Sequence, residues 1–356
     1  MMNLAADSAP HTPGPSLSAR ITGPLSSLFS LLYRLIMGSL GLIFDPLQKL
    51  IGTKAMPYLF VIPNLVLFII FALIPIFMNF VYAVTGGTAL LPANRPYIGL
   101  QNFNALLTCG NFLDPNSCVA DLFWRGVMNT IVYVIVEVGL LLVLAMITAL
   151  ILNRQIIARG FFRSIFFYPT LLSSVVVALL WKWVLQRNGI LNGALDSLGI
   201  PTINFLFESD WARLATIIVG LWASLGFYTL ILLAGLQAIP ALLYEAAVID
   251  GASRRQQFQY ITLPLMRPTL YIVFLLAFVG AVQVFEHAFV LTDGGPGTAT
   301  FYIMHYVFNT AFAGGGPGGR NFGLATAATL LVAVVLVAVT LLQRWVSRNA
   351  SDDYST

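Results

Sequence analysis

Six long apolar runs punctuate the chain: Tyr58–Val84, Gly126–Leu152, Ser164–Leu185, Leu214–Ile239, Thr269–Leu291 and Phe322–Leu342. Each is rich in Leu, Val, Ile, Phe and Ala. None alternates strictly between apolar and polar positions, so helices are expected rather than the strands of a barrel. A helix needs about 20 apolar residues to cross the hydrocarbon core, and inside it every backbone polar group must be satisfied within the segment. The pattern therefore predicts an all-α membrane protein with a six-helix transmembrane bundle.

The segment before the first run is different. Residues 1–24 hold mainly Pro, Ser, Thr, Ala and Gly and read as a disordered tail, with no apolar core behind a short basic start. Residues 25–56 carry a shorter apolar run, Leu28–Phe44, with Arg34 inside it and Asp45 and Lys49 after it. Two readings remain for it. An interfacial helix would rest its cations among the headgroups, and an additional spanning helix would move the tail to the other side. Residues 347–356 read as a polar tail.

Composition narrows the class. Of 356 residues, 58% are hydrophobic and 9% charged, against roughly 25% charged in a soluble domain. Mean hydropathy is +0.87. Too few charges are present to cover a globule, which excludes a soluble enzyme, a nucleic-acid binder and a disordered chain. The 18 Lys and Arg orient the bundle instead. With a cytoplasmic N-terminus, only Arg95, Arg125, Lys182, Arg187, Arg213 and Arg320 fall outside. The other twelve lie at inside loops and ends, as the positive-inside rule requires, so both termini are predicted to be cytoplasmic. The two cysteines, Cys109 and Cys118, then share the first outside loop, CGNFLDPNSC. They form either a small disulfide loop in an oxidising compartment or a pair of free thiols.

The inside loop between the fourth and fifth runs, residues 239–264, is patterned. Pro240 suits a helix start, and Leu242, Leu243, Ala246 and Ile249 recur at helical spacing. Asp250-Gly251 breaks that helix, and Ser253 with Gln256 makes a capping box that restarts a second one. A rigid knob with small residues is expected at the cytoplasmic face. It serves either to dock a partner or to lie on headgroups.

This loop resembles the signature loop of permease subunits of bacterial ABC importers. That pattern is Glu-Ala-Ala, three residues, Gly, nine residues, Ile, any residue, Leu-Pro. Here it is Glu245-Ala246-Ala247, Gly251, Ile261 and Leu263-Pro264. The resemblance covers residues 57–346 and is closest to the carbohydrate-uptake branch. Its marks include Asn129-Thr130, FFRSIFFYP (161–169), WKWVLQRNGILN (181–192) and FEHAFVLTDGGPGTAT (285–300).

The resemblance implies a permease subunit of the bacterial inner membrane, half of a pore completed by a second similar permease. Two copies of a cytoplasmic ATPase would dock on the coupling loops, and an extracytoplasmic binding protein would deliver a sugar. Glu245, Ala246, Ala247, Asp250, Gly251, Ile261, Leu263 and Pro264 would form the coupling element. The chain has no G-x-x-x-x-G-K-[ST] phosphate loop. ATP and Mg²⁺ would therefore sit on the partner ATPase, with no cofactor bound by this chain and no enzymatic activity of its own.

Ionisable and aromatic residues within the spans are the candidates for the substrate pathway. Glu137 lies in the middle of the second run, where it would face the partner permease, line the pore or be protonated. Gln283, Glu286 and His287 are spaced to share one face of the fifth helix. They would either bind sugar hydroxyls or, for Glu286, reach the headgroups. Trp222 and Tyr228 are candidates for stacking on a sugar ring or for helix packing. Gly294–Gly297 and Gly314–Gly319 read as outside turns available to the binding protein. The competing class is an ion-gradient-driven secondary transporter, for which Glu137 would be the buried acid.

Overall fold

In this computed structural model the described residues are 52–54, 56–154, 157–313 and 319–352, with Leu31, Arg34 and Gln48 isolated before them. The expectations for residues 1–24, and most of those for residues 25–56 and Gly314–Gly319, lie outside the described residues. The chain forms two compact units, residues 1–76 and 77–356.

The apolar run that opens the described chain is helical from Met56 to Ala83 (α1), with a widened turn at Ile69–Leu73. In the first unit none of its side chains is buried: Phe60, Phe71 and Ile76 all lie open. Exposed apolar side chains of this kind suit lipid or a second protein rather than water.

The second unit continues through α2 (Gln101–Leu107), α3 (Asp121–Asn153), α4 (Arg159–Phe167), α5 (Ser174–Leu185) and α6 (Ile190–Ser197). It then runs through α7 (Ser209–Gln237), α8 (Ala241–Ile249), α9 (Arg254–Val282), α10 (Glu286–Thr292), α11 (Ile303–Phe308) and α12 (Phe322–Asp352). No strand occurs among the described residues, only isolated bridges. Five helices are long and apolar enough to span: α1, α3, α7, α9 and Phe322–Trp345 of α12. A bent pair makes a sixth if it is counted as one span. Residues 347–352 continue the helix α12.

The core is the α3–α7–α9 contact. Leu141, Ala145, Ala149 and Leu152 of α3 face Leu232, Leu233 and Leu236 of α7 and Met266, Val273 and Ala277 of α9. Alanines on one side and leucines on the other let the backbones approach closely, which is how apolar helices associate when lipid competes for the same surfaces. On α3 the opposite face, with Val132, Ile135 and Val143, stays open. A second cluster at the N-terminal end of α3 joins Phe123, Ile303 and Tyr306 of α11, and Ala327 and Ala328 of α12.

The structure corrects two of the six runs. The third is not one straight helix. Arg159–Leu171 and Ser174–Ser197 meet at 102°. Pro169 cannot donate to the helical ladder, and the backbone leaves the helix through Leu172 and Ser173. At its N-terminal end, Arg159 and Arg163 each donate from Nη2 to Gln237 Oε1 at 2.8 Å, tying α4 to the end of α7. The fifth run also stops early, at Val282, and a short α10 begins after Phe285 turns out of the helical region (φ −151°, ψ −67°).

Candidate functional site

Two features carry chemistry: an uncovered knob at one end of the bundle and a polar cavity in its middle. The knob is α8. Pro240 forms its N-cap with extended backbone rather than a position inside the first turn. Gly251, at φ +76°, ends it in the left-handed region that glycine enters without penalty. The predicted capping box is present: Ser253 N donates to Gln256 Oε1 at 2.8 Å, and Gln256 N donates to Ser253 Oγ at 3.4 Å.

The capping box does not open a second free helix. Arg254 begins α9 itself, which passes through a widened turn at Phe258–Thr262 just before Pro264. Such a turn absorbs the backbone bond that a proline inside the helix removes.

The knob's apolar face covers nothing in this chain. Leu242 is 71% exposed, Val248 64% and Ile249 85%, and Glu245, Ala246 and Asp250 beside them are exposed too. It is nevertheless held in register: the Tyr244 hydroxyl hydrogen-bonds Thr262 Oγ1 at 2.9 Å, and Gln257 Nε2 donates to Ala252 O at 3.0 Å. Ile261 and Pro264 are half-buried on α9, and Leu263 is exposed.

The cavity has a volume of about 260 Å³ and lies between α3, α7, α9, α10 and the break in the third span. Its polar lining is Tyr133, Glu137, Thr170, Ser174, Ser224, Tyr228 and His287. Glu137 stands at the midpoint of α3, sixteen residues from either end. It is only 8% exposed, and its Oε2 has no hydrogen-bond partner among the described residues. The Tyr133 hydroxyl sits between the Glu137 carboxyl and His287 Nε2, 3.2 Å from the latter.

Gly220 makes room for this group. A methyl there would fall 2.5 Å from Tyr133 Oη and 2.6 Å from Glu137 Oε1. Pro169, Thr170 and Leu172 bring non-helical backbone to the wall, and such backbone is tolerated at membrane depth only where it is buried or lines a cavity. A neighbouring cavity of about 660 Å³ shares Ser174, Gly280, Val284 and His287 and adds Gln283 and Glu286.

The predicted pathway residues therefore divide. Glu137, Tyr228 and His287 line the inner cavity, and Gln283, Glu286 and His287 line its neighbour. Gln283, Glu286 and His287 do not share one helix face. Gln283 caps α9 and the other two open α10, because the Phe285 ring packs against His305, Phe289 and Phe308 and draws the chain out of the helix. Trp222 lines neither cavity and packs edge-to-face on Trp181 at 5.8 Å. Tyr133, Ser224 and Tyr244 were not singled out by sequence. Their only signal was a polar atom within an apolar helical run.

At the other end of the bundle from α8, Cys109 and Cys118 form a disulfide. The turn Gly294–Gly297 is anchored on one side, with Gly295 and Pro296 half-buried and Gly297 exposed. Asn129 Nδ2 donates to Thr298 O (2.7 Å) and Phe301 O (3.0 Å), Thr130 Oγ1 accepts from Ile303 N (3.0 Å), and Thr300 Oγ1 donates to Gly295 O (2.8 Å). Beneath it His305 is fully buried among Phe285, Phe289 and Phe301. Burial pushes its imidazole down to about 4, so the ring is neutral. No cluster of residues able to hold a metal ion occurs among the described residues.

The chain is 33% identical over 296 residues to the trehalose/maltose transport system permease protein MalF of Thermococcus litoralis, covering 83% of this chain and 94% of that protein. It is 31% identical to the multiple sugar-binding transport system permease protein MsmF of Streptococcus mutans, over 82% and 94%. Among solved structures it resembles a bacterial ABC transporter involved in the import of the acidic polysaccharide alginate. That match has a TM-score of 0.71 and 26% identity, and covers 85% of this chain and 99% of that one. A second structure of a bacterial alginate transporter, in complex with its pentasaccharide-bound periplasmic protein, matches at a TM-score of 0.70 and 25% identity. Residues 141–352, which hold the C-terminal part of α3, the knob and α9 to α12, match a family directly, and the chain belongs to the binding-protein-dependent transport system inner membrane components.

Proposed function

We propose that this chain is the permease subunit of an ATP-driven importer and passes a saccharide, delivered by an extracytoplasmic binding protein, across the inner membrane. One observation carries the reading. The uncovered helix α8 is pinned through Tyr244 to Thr262, and Thr262 belongs to the same helix, α9, whose Gly280 lines the cavity. The two lie eighteen residues apart, about 27 Å along the axis. A partner that displaces α8 thus acts on the cavity wall through one continuous helix.

The partner assigned to α8 is a cytoplasmic ATPase. Leu242, Val248 and Ile249 supply the apolar anchor that docked helices use, and Glu245 and Asp250 set the register. Two such ATPases, carrying ATP and Mg²⁺, act on this chain and on a second permease. Glu245, Ala246, Ala247, Asp250 and Gly251 form the coupling element, with Ile261, Leu263 and Pro264 behind them. The relatives named for trehalose, maltose and multiple sugars support a saccharide cargo.

Affinity purification of the tagged chain from cells expressing its neighbours is expected to retain an ATPase and a second permease. Uptake of labelled saccharide in vesicles is expected to stop on ATP depletion and to persist with an uncoupler. Uptake that survives ATP depletion but collapses with the proton gradient overturns the reading in favour of the secondary transporter.

A further inference from the structure

The cavity is unbalanced in charge. The titratable side chains lining it and its neighbour are Glu137, Glu286, His287 and two tyrosines, Tyr133 and Tyr228; no Lys or Arg lines either one. The basic residues closest in sequence to these walls are committed elsewhere. Lys182 Nζ donates to Val290 O at 3.0 Å, and Arg213 Nε donates to Ala299 O. Neither of the ion pairs among the described residues, Arg125–Asp121 and Arg213–Asp210, involves Glu137.

A carboxyl at the centre of a span, nine-tenths buried in the wall of a cavity and with one oxygen unpartnered, is costly to maintain for packing alone. Its surroundings suit a polyol. A carboxyl oxygen accepts from a hydroxyl, and the hydroxyls of Tyr133, Ser224 and Tyr228 both donate and accept. They suit an anion badly. No cation lines either cavity to receive one, and a carboxylate about 4 Å from the ionised form of Glu137, at the effective dielectric of a protein interior, would be disfavoured by two or more powers of ten.

We propose that Glu137 is the charge filter of the permeation pathway, accepting hydrogen bonds from the hydroxyls of an uncharged saccharide and excluding saccharides that carry carboxylates. This rests on the importer reading above and gives its cargo a chemical class. The likeness to an importer of an acidic polysaccharide then extends to the fold and not to the charge of the cargo. The filter lies in the membrane, downstream of whatever selection a binding protein makes.

The test exploits the cysteine count. The chain has two cysteines, and they are bonded to each other. Ser224→Cys therefore places a single free thiol in the cavity wall. The rate of its alkylation by a small maleimide, in the purified permease–ATPase complex without binding protein, reports cavity occupancy. The probes are maltose, trehalose, lactose and cellobiose, against glucuronate- and mannuronate-containing disaccharides at the same millimolar concentration.

At least one neutral disaccharide is expected to slow alkylation fivefold or more, and no uronate is. Adding Glu137→Gln, which keeps the side chain's shape, is expected to shrink the neutral-to-acidic discrimination at least tenfold at an unchanged thermal midpoint. Equal protection by uronates in the unsubstituted background, or an unchanged ratio in the Gln variant, overturns the filter. Protection by no saccharide, in a complex whose ATPase still responds to a saccharide-loaded binding protein, also overturns the filter and leaves the importer reading standing. Absence of that ATPase response as well overturns the importer reading itself.

Discussion

Gly251 and Gly226 are both glycines the fold needs, for different reasons that separate their substitutions. Gly251 has φ +76° and open space where a side chain would begin. A β-carbon there meets nothing in this chain, so the penalty is conformational, about 1–2 kcal/mol for an ordinary L-residue. Any further loss belongs to the partner. Gly251→Val is expected to insert and fold yet to lose ATPase co-purification about tenfold or more. Gly251→Asn tolerates left-handed backbone and should retain more; a Val variant that still binds fully would remove Gly251 from the coupling element. Gly226 instead faces backbone. A methyl there would lie 1.9 Å from the Phe166 carbonyl oxygen, where the third span bends. Overpacking of this kind costs about 1–3 kcal/mol, so Gly226→Ala is expected to lower the thermal midpoint in detergent by several degrees, with docking of the folded fraction intact. Gly251 was legible in the sequence because Asp-Gly interrupts an apolar helical period. Gly220 and Gly226 were not, since a glycine inside an apolar run gives no hint of which neighbour approaches it.

Among the elements, α8 was the most legible, because a capping box, a glycine stop and helical spacing all act within a few residues. Its link to α9 was hidden. Tyr244 reads as one more aromatic position until the fold places Thr262 opposite it at 2.9 Å. Tyr244→Phe removes one net hydrogen bond, about 0.5–1.5 kcal/mol, and leaves the exposed face of α8 unchanged. The expected result is normal ATPase binding with weakened stimulation of ATP hydrolysis by the loaded binding protein, measured in proteoliposomes. Undiminished stimulation would mean that α8 transmits force by another route. The two misread spans share a cause: hydropathy reports the length of apolar chain, not its straightness. At the third span a local signal existed in Pro169 with Thr170, Ser173 and Ser174, but continuous apolarity on both sides masked it. At the fifth the one breaker, Gly280, lies inside the helix and does not mark its end. The helix ends because Phe285 packs into the ring cluster of His305, Phe289 and Phe308, a long-range contact that periodicity cannot register.

For the whole molecule, orientation and coupling stand or fall together. The bundle has two distinct ends. One carries the Cys109–Cys118 disulfide and the anchored turn at Gly294–Gly297. The other carries α8, with Arg254 and Arg255 at the start of α9 and Arg159 and Arg163 gathered on Gln237. A disulfide forms in an oxidising compartment, and basic loops stay in the cytoplasm. These independent forces assign the same side to each end, and the N-terminal residues outside the described chain enter neither argument. The prediction is an asymmetric reporter pattern. Alkaline phosphatase fused after Asn116, within the disulfide loop, should be active, and the same fusion after Gly251 or Asp352 should be inactive. A fluorescent protein that folds only in the cytoplasm should light up at the last position. The reverse pattern would put α8 outside, where no ATPase could reach it. The uncovered apolar face of that helix would then need an extracytoplasmic partner, and ATP-driven coupling through Tyr244 and α9 would be lost.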